Sequence, residues 1–508
     1  MRPLSIHSST SGTSDASSTR AATRTTDAPK PFDTPSISDA IIRSHDSVDF
    51  FVLHSLLSFV SPAFDGLFVA ALETKNGLPI VTVSEDSETI LCLLSLIYPH
   101  DREPQVASAP LFSKVCRAAH KYSMAIIVRK LRTMLSSVGP SHSPDTIVAH
   151  QFLMYAIATQ FGWDAEAVRA ARHTFSTPWR QMPYINELRN ISGADFCEYL
   201  ALREGYNAKT LPPVSPAIKV NQEKPFADAR IPFDPSARAD VILRSTDKID
   251  FYVLRDLLGF VTTTFDSVES AKQKNELPVL HFEEDGTTLR HLLCLIYPWV
   301  ESQIDDMDTF VKMCRTAQKY RMTAVEDKLK RQLAASRHIV DNPVRTLWVA
   351  IAFGWGQVAK KAAMNALALP VGGAVISFEE ELRLVTGADV YWFMQYRLAC
   401  CDAACEAVLK DRLFAHDKTK EKEALVERVI DRLKESPRGI SIVHACASEI
   451  QETSKAPSEH RASLLFRLLK KRDKLEAVVE DAISKVQCLV CWISHQANIL
   501  GCLGSPPH

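Results

Sequence analysis

Four residues near the C-terminus have the types and spacing of a metal site. Cys488, Cys491, His495 and Cys502 read C-x2-C-x3-H-x6-C, close to the ligand spacing of small zinc modules, in which thiolates and an imidazole close a tetrahedral shell. Their surroundings favour a different use. Val486, Leu489, Val490, Trp492, Ile493, Ile499 and Leu500 make this the most apolar part of the C-terminal region, and a buried helix employs cysteine as a small hydrophobe. These four are zinc candidates on spacing alone, and the expectation is no bound metal. Cys400, Cys401 and Cys405 could join such a site only through tertiary folding.

Other chemistry finds less support. Cys116 and Cys314 occupy equivalent places in two patterned helices with no histidine base beside them, which marks them as core and not as nucleophiles. There is no GxxxxGK(S/T) phosphate loop, and Val371-Gly372-Gly373-Ala374 lacks the strand–turn–helix setting of a dinucleotide fingerprint. Ser61 has no GxSxG elbow around it and reads as a helix residue or local cap. Lys470, Lys471, Arg472 and Lys474 are interleaved with Glu476, Glu480 and Asp481, the pattern of a solvated helix face. The sequence therefore implies no catalytic residue and no cofactor, and the chain is not expected to be an enzyme.

The elements that would position any site are written twice. Asp39 to Asp65 and Asp240 to Asp266 align without a gap and agree at 15 of 27 positions. Each copy opens with a short apolar run, a polar turn at Ser44–Asp46 or Ser245–Asp247, and a second apolar run, which predicts a hairpin. Leu53, Leu56, Leu57, Val60 and Phe64, mirrored by Leu254, Leu257, Leu258, Val261 and Phe265, then fall at helical spacing, predicting one helix with its apolar face on the hairpin.

The repeat continues. Leu78 to Val83 and Leu277 to Phe282 read as strands entered through proline, and the acidic residues that follow, among them Asp86 and Asp285, suit a helix N-terminus. Those helices end at Ile97-Tyr98-Pro99 and Ile296-Tyr297-Pro298, because the residue before proline leaves the helical region. Two more helices follow in each copy, ending near Leu135 and Leu333.

This order, two strands, helix, strand, helix and two further helices, resembles the BTB (POZ) domain family. The resemblance rests on Ser61-Pro62-Ala63-Phe64, on Leu96-Ile97-Tyr98-Pro99 and on Ala119-His120-Lys121-Tyr122, recurring as Thr262-Thr263-Thr264-Phe265, Leu295-Ile296-Tyr297-Pro298 and Ala317-Gln318-Lys319-Tyr320. The second copy departs in replacing His54 by Arg255 and in losing the Ser-Pro. Each copy is followed by a helical extension: Ala156 to Trp163 corresponds to Ala350 to Trp355, and Ser192-Gly193-Ala194-Asp195 to Thr386-Gly387-Ala388-Asp389, with the aspartate expected as N-cap. The helices these open carry Tyr199 and Arg203, or Phe393 and Arg397. Such an arrangement is similar to fungal-type proteins in which a BTB domain carries a short helical region.

The expected fold class is thus α+β. It comprises two BTB-like units, each a small β-sheet with packed helices and a helical extension, and an all-α C-terminal region. The expected boundaries are a disordered Ser/Thr-rich tail over 1–36, BTB-like domain 1 over 37–137 and extension 1 over 138–208. A proline-rich linker over 209–237, BTB-like domain 2 over 238–336, extension 2 over 337–408 and a C-terminal helical region over 409–508 complete the chain. The helical spacing of that last region lies at 420–435 and 461–487, broken by Pro437 and Pro457.

A chain of 508 residues exceeds what one hydrophobic core supports, roughly 250 to 300 residues. Its net charge of −1 gives no general attraction to nucleic acid or anionic lipid. No run of 18 apolar residues predicts a membrane span, and cysteines scattered through apolar patterns suit reduced thiols in an intracellular protein, cytoplasmic or nuclear. The resemblance implies a non-enzymatic scaffold or adaptor that binds other proteins. Its implied interaction-surface candidates are His54, Phe59, Phe64, Arg255, Phe260 and Phe265, and its BTB units are expected to self-associate or to pair in cis. A substrate adaptor of a cullin-type ubiquitin ligase is the first alternative. A zinc- or nucleic-acid-binding regulator using the C-terminal Cys/His cluster is the second.

Overall fold

The computed structural model describes residues 25–98, 108–135, 144–203, 226–262, 273–297, 306–370, 379–411, 419–455 and 459–486. The chain divides into a unit of residues 1–170 and a unit of residues 171–508.

In the first unit β2 (Ala40–Arg43) and β3 (Val48–Val52) form the expected antiparallel hairpin, Ile41 facing Phe51. Its turn needs a positive φ at Ser47, and the Ser44 hydroxyl accepts the Val48 amide at 3.0 Å. β5 (Leu78–Thr82) joins parallel to β2 with Ile80 beside Ile41, so Ile41, Phe51 and Ile80 make one buried cluster. β1 (Thr26–Asp27) pairs parallel with β3, and β4 (Glu73–Lys75) antiparallel with β5, giving the order β1-β3-β2-β5-β4. The outermost strands carry no apolar run, which is why periodicity did not reveal them.

Helices α1 (His54–Val60) and α2 (Pro62–Val69) replace the single expected helix. Pro62 cannot donate an amide and forces Ser61 into extended backbone, so the helix breaks there. α3 (Ser87–Ile97) is capped by Asp86, whose carboxylate accepts the Thr89 amide at 2.9 Å. Burial alone would raise this carboxyl, but hydrogen bonds from Lys114 and Thr89 outweigh it and bring it to about 2. α4 (Ala109–Lys121) packs against α3, and α5 (Ala125–Met134) against α4 and α1, with Cys116 of α4 fully buried. α6 (Pro144–Gln160) and α7 (Asp164–Thr174) begin the extension, turning at Gly162, whose φ of 68° favours glycine.

The second unit takes in the end of α7, short 3-10 turns at Trp179–Gln181 and Asn186–Asn190, and α8 (Gly193–Arg203), and then repeats the sheet. β6 (Ala227–Asp228), β7 (Val241–Arg244), β8 (Ile249–Val253), β9 (Gln273–Lys274) and β10 (Leu277–His281) take the order β6-β8-β7-β10-β9. The register repeats too, Ile242 facing Tyr252 and lying beside Val279. So do the unusual turns: Lys248, Asn275 and Arg321 take the positive φ of Ser47, Asn76 and Ser123. α9 (Arg255–Gly259), α10 (Gly286–Ile296), α11 (Met307–Lys319) and α12 (Thr323–Ala335) complete the copy. The short α13 (His338–Asp341) leads to α14 (Pro343–Ala352) and α15 (Gly356–Ala366), which turn at Gly354 as α6 and α7 do at Gly162.

The short α16 (Glu379–Leu382) precedes the long α17 (Gly387–Leu409). α18 (Lys420–Glu435), α19 (Ile440–Lys455) and α20 (Glu459–Ser484) pack with α17 into an all-helical region that buries Val429, Leu433, Leu468 and Val479. α19, which buries Ile442, Ala445 and Cys446 at helical spacing, was not singled out in the sequence.

Two expectations of order need correction. Residues 25–36, assigned to the tail, belong to the fold: Phe32 is 1% exposed and packs edge-on against Tyr98. Phe233, inside the expected linker, does the same against Tyr297. Each copy therefore begins about a dozen residues before the repeat becomes visible as apolar runs.

The copies also differ in a compensated way. Where the first has Val48 and Ser87, the second has Ile249 and Gly286, and a Cβ on Gly286 would lie 2.6 Å from Ile249 Cδ1. Gly286→Ser should destabilise the protein by about 0.5–1 kcal/mol, because the obstructing atom is the end of the Ile249 side chain, which can give way at the cost of its rotamer. Adding Ile249→Val should recover most of the loss, so a double-mutant cycle by thermal unfolding should return a coupling of at least about 0.5 kcal/mol. Strict additivity would refute the compensation.

Candidate interaction surfaces

The residues that carry the sequence resemblance hold the repeated cores together. The Tyr98 hydroxyl accepts the Leu53 amide at 2.7 Å and the Tyr297 hydroxyl accepts the Leu254 amide at 2.9 Å, fixing the strand-to-helix turn in each copy. Asp39 and Asp240 accept the next amides, of His54 and Arg255, at 2.6 and 2.7 Å. The Ser61 hydroxyl donates to the Tyr122 carbonyl, and Thr262 donates to that of Tyr320. The second copy thus keeps the hydroxyl while losing the proline. Tyr122 and Lys121 in turn bond Glu85, as Tyr320 and Lys319 bond Glu284.

Beneath β4 and β9 lies a feature the sequence reading missed. Asp49, fully buried in β3, takes the Arg43 guanidinium at 2.6 and 3.0 Å and Lys75 Nζ at 2.8 Å. Asp250 repeats this with Arg244 at 2.6 and 2.8 Å and Lys274 at 2.7 Å. Burial would raise both carboxyls, but the paired cations outweigh it and hold them below the ordinary aspartate range. The available signal was an aspartate retained in both copies inside an otherwise apolar strand.

The sequence candidates fall into different places. Phe59, on α1, is 78% exposed, Val69, the last residue of α2, is 81% exposed, and Leu72, beyond it, is 98% exposed. His54 starts α1, half-exposed, with Nε2 3.2 Å from Asp65 Oδ1 and its ring edge-on to Phe68. Phe64 is not on the surface: it is buried between Phe68 and Tyr122, so it supports the others from the core. In the second copy Phe260 is 86% exposed and Arg255 starts α9. Phe265 lies outside the described residues, as do Cys488, Cys491, His495 and Cys502. Among the described residues no group of His, Cys, Asp and Glu could hold a metal ion, and no helix is long and apolar enough to cross a membrane.

A second surface lies inside the second unit, where α8 of extension 1 meets α17 of extension 2. The Gly193 amide donates to the Val385 carbonyl at 2.8 Å, and the Gly387 amide donates to the Ile191 carbonyl at 2.9 Å. Gly193 and Gly387, like Ile191 and Val385, are equivalents in the repeat, so the two bonds are related by a local two-fold axis. Ser192 and Thr386 bridge across it. Glycine is required by space and not by dihedral angle. A Cβ on Gly193 would stand 2.8 Å from the Leu382 carbonyl and the Val385 side chain, and one on Gly387 2.9 Å from Ile191 and 3.0 Å from the Leu188 carbonyl. Ser192 and Thr386, not the expected aspartates, are the N-caps. Asp195 and Asp389 sit three residues on and bond back, Asp195 to the Ser192 hydroxyl at 2.7 Å and Asp389 to the Thr386 amide at 2.9 Å. Aromatic contacts seal the seam, Tyr391 against Trp179 and Tyr184 and Trp392 against Tyr184, and the Tyr391 hydroxyl donates to the Met182 carbonyl at 2.8 Å.

The first unit is thus a five-stranded mixed sheet with packed helices and with Phe59, Val69 and Leu72 exposed. The family model of the BTB/POZ domain matches residues 30–138. One BTB/POZ domain is therefore present, in the first unit, and its match begins within the segment that adds Phe32 to the core. BTB domains mediate protein interaction and self-association and are generally not enzymes. Among curated proteins no match to the chain was found.

Proposed function

We propose that this chain is a non-enzymatic interaction scaffold with two BTB units, residues 226–335 being a diverged second copy, whose helical extensions pair in cis. One observation carries the reading: the second sheet repeats the first in strand order, register and positive-φ turns. The reciprocal glycine contact supports the cis pairing, because it satisfies within one polypeptide a surface of the kind that isologous dimers share between chains. Pairing of the two BTB units themselves in cis is a separate reading of the same duplication.

The partner surface is centred on the exposed Phe59, with Phe260 in the second copy. Phe59→Asp and Phe260→Asp remove apolar area from solvent-facing positions, so stability should move by less than about 0.5 kcal/mol. Affinity purification with mass spectrometry should show a reproducible set of wild-type partners lost from one variant or both. An unchanged set with folded variants would refute this surface.

A further inference from the structure

We propose that the cavity between α8 and α17 binds a small uncharged aromatic molecule of one ring. The cavity, of about 190 Å³, lies on the local two-fold axis, for its lining includes the repeat equivalents Leu200 with Met394 and Arg203 with Arg397. Trp179, Leu398, Cys401 and Lys434 complete the lining. Trp179, Arg203 and Leu398 are only half-buried, so the cavity reaches solvent.

The surface that faces this cavity is almost wholly apolar, because the polar heads around it are engaged elsewhere. Arg203 donates to the Thr174 and Thr177 carbonyls, and Arg397 to those of Ala366, Leu369 and Glu435. The Cys401 thiol donates to the Lys434 carbonyl at 3.5 Å, and Lys434 Nζ is paired with Asp431 at 3.3 Å. Arg397 Nε and Trp179 Nε1 have no acceptor among the described residues, but both are fully enclosed and do not open onto the cavity. A charged or strongly polar ligand would lose its hydration there and find no bond in return. An apolar one loses little and gains contact with Leu200, Met394, Leu398 and the Trp179 ring.

Size and lining narrow the class. An apolar cavity of about 150 Å³ holds benzene, so this one admits a single ring with a short alkyl group. Met394 and Cys401 put sulfur on the lining and Trp179 an indole, and both pack favourably against an aromatic ring. Such a ligand would touch α8 and α17 at once, so it would bind the paired form of the extensions and stabilise it.

The test is calorimetric titration of the full chain with toluene, with benzoate as the charged match and methylcyclohexane as the saturated one. Expected is a saturable heat with one site per chain, benzoate being at least about tenfold weaker and methylcyclohexane about twofold or more weaker. Leu200→Trp, which fills the cavity, should abolish the toluene heat in a protein that still melts cooperatively. The contrast among the three ligands uses the unaltered chain, so it stands even if the variant misfolds. Absence of saturable heat up to the solubility limit of toluene, equal binding of benzoate or methylcyclohexane, or undiminished binding by folded Leu200→Trp would each overturn the proposal. The effect on the paired form rests on the cis reading above: if a chain cleaved between its extensions stays together yet toluene gives no heat, the ligand site falls and the pairing stands.

Discussion

Valine at Gly387 is expected to separate the paired extensions. Its Cβ would stand 2.9 Å from Ile191 Cγ1 and 3.0 Å from the Leu188 carbonyl. The second neighbour is backbone and cannot swing aside. Overpacking of this kind costs about 1–3 kcal/mol, and displacement of the Gly387 amide from the Ile191 carbonyl forfeits about 1 kcal/mol more. Gly193→Val should do the same through the Leu382 carbonyl and Val385, and Gly→Ala at either site should give a smaller loss of the same sign. The direct measurement introduces a protease site between residues 204 and 225 and follows the cleaved chain by light scattering. The wild-type halves should remain one species of unchanged mass, whereas the Gly193→Val, Gly387→Val protein should fall into two. Co-elution of the cleaved variant with an unchanged melting temperature would show that the glycine seam does not hold the halves.

Removing the buried carboxylate of either sheet should be the other large effect. In Asp49→Ala the Arg43 and Lys75 charges lose their common partner, and in Asp250→Ala those of Arg244 and Lys274 do. Breaking a buried pair from one side costs about 3–5 kcal/mol. The lower end is expected, because the cations are 13–30% exposed and recover some hydration. The pH dependence has a definite sign. Both aspartates titrate lower when folded than the ordinary 3.8, so the unfolded chain takes up protons first as pH falls. Their stabilisation is complete above the unfolded value and is lost as pH drops through the lowered folded one. Urea unfolding from pH 7 downward should therefore show the wild type losing more stability below about pH 4 than Asp49→Asn or Asp250→Asn does. Parallel pH profiles would refute this role.

The repeated cores were legible because their apolar runs and helical spacings are properties of short segments: the hairpin of Ile41 and Phe51, the Asp86 and Asp285 caps and the stops at Tyr98 and Tyr297 follow from neighbours in sequence. What escaped depends on distant partners. Phe32 and Phe233 stand alone among polar and proline residues and become core only against Tyr98 and Tyr297. The Asp49 triad needs a lysine 26 residues away. The break at Ser61 was readable from Pro62, but the unbroken apolar spacing outweighed it. Gly193 and Gly387 were noticed as parts of repeated turns, yet nothing local says that each meets the other's flank. The candidate surface was legible in part: Phe59 and Phe260 face solvent, whereas Phe64 belongs to the apolar helical spacing that faces the hairpin and is buried.

The reciprocal seam between the extensions has a consequence for how the protein responds to its own abundance. With both faces on one tether, encounter is set by an effective concentration of roughly millimolar order, independent of how many copies a cell holds. Dilution cannot open it, and a neighbouring copy must compete against that local excess to exchange partners. Gene dosage would therefore alter how many scaffolds exist without altering how each is assembled.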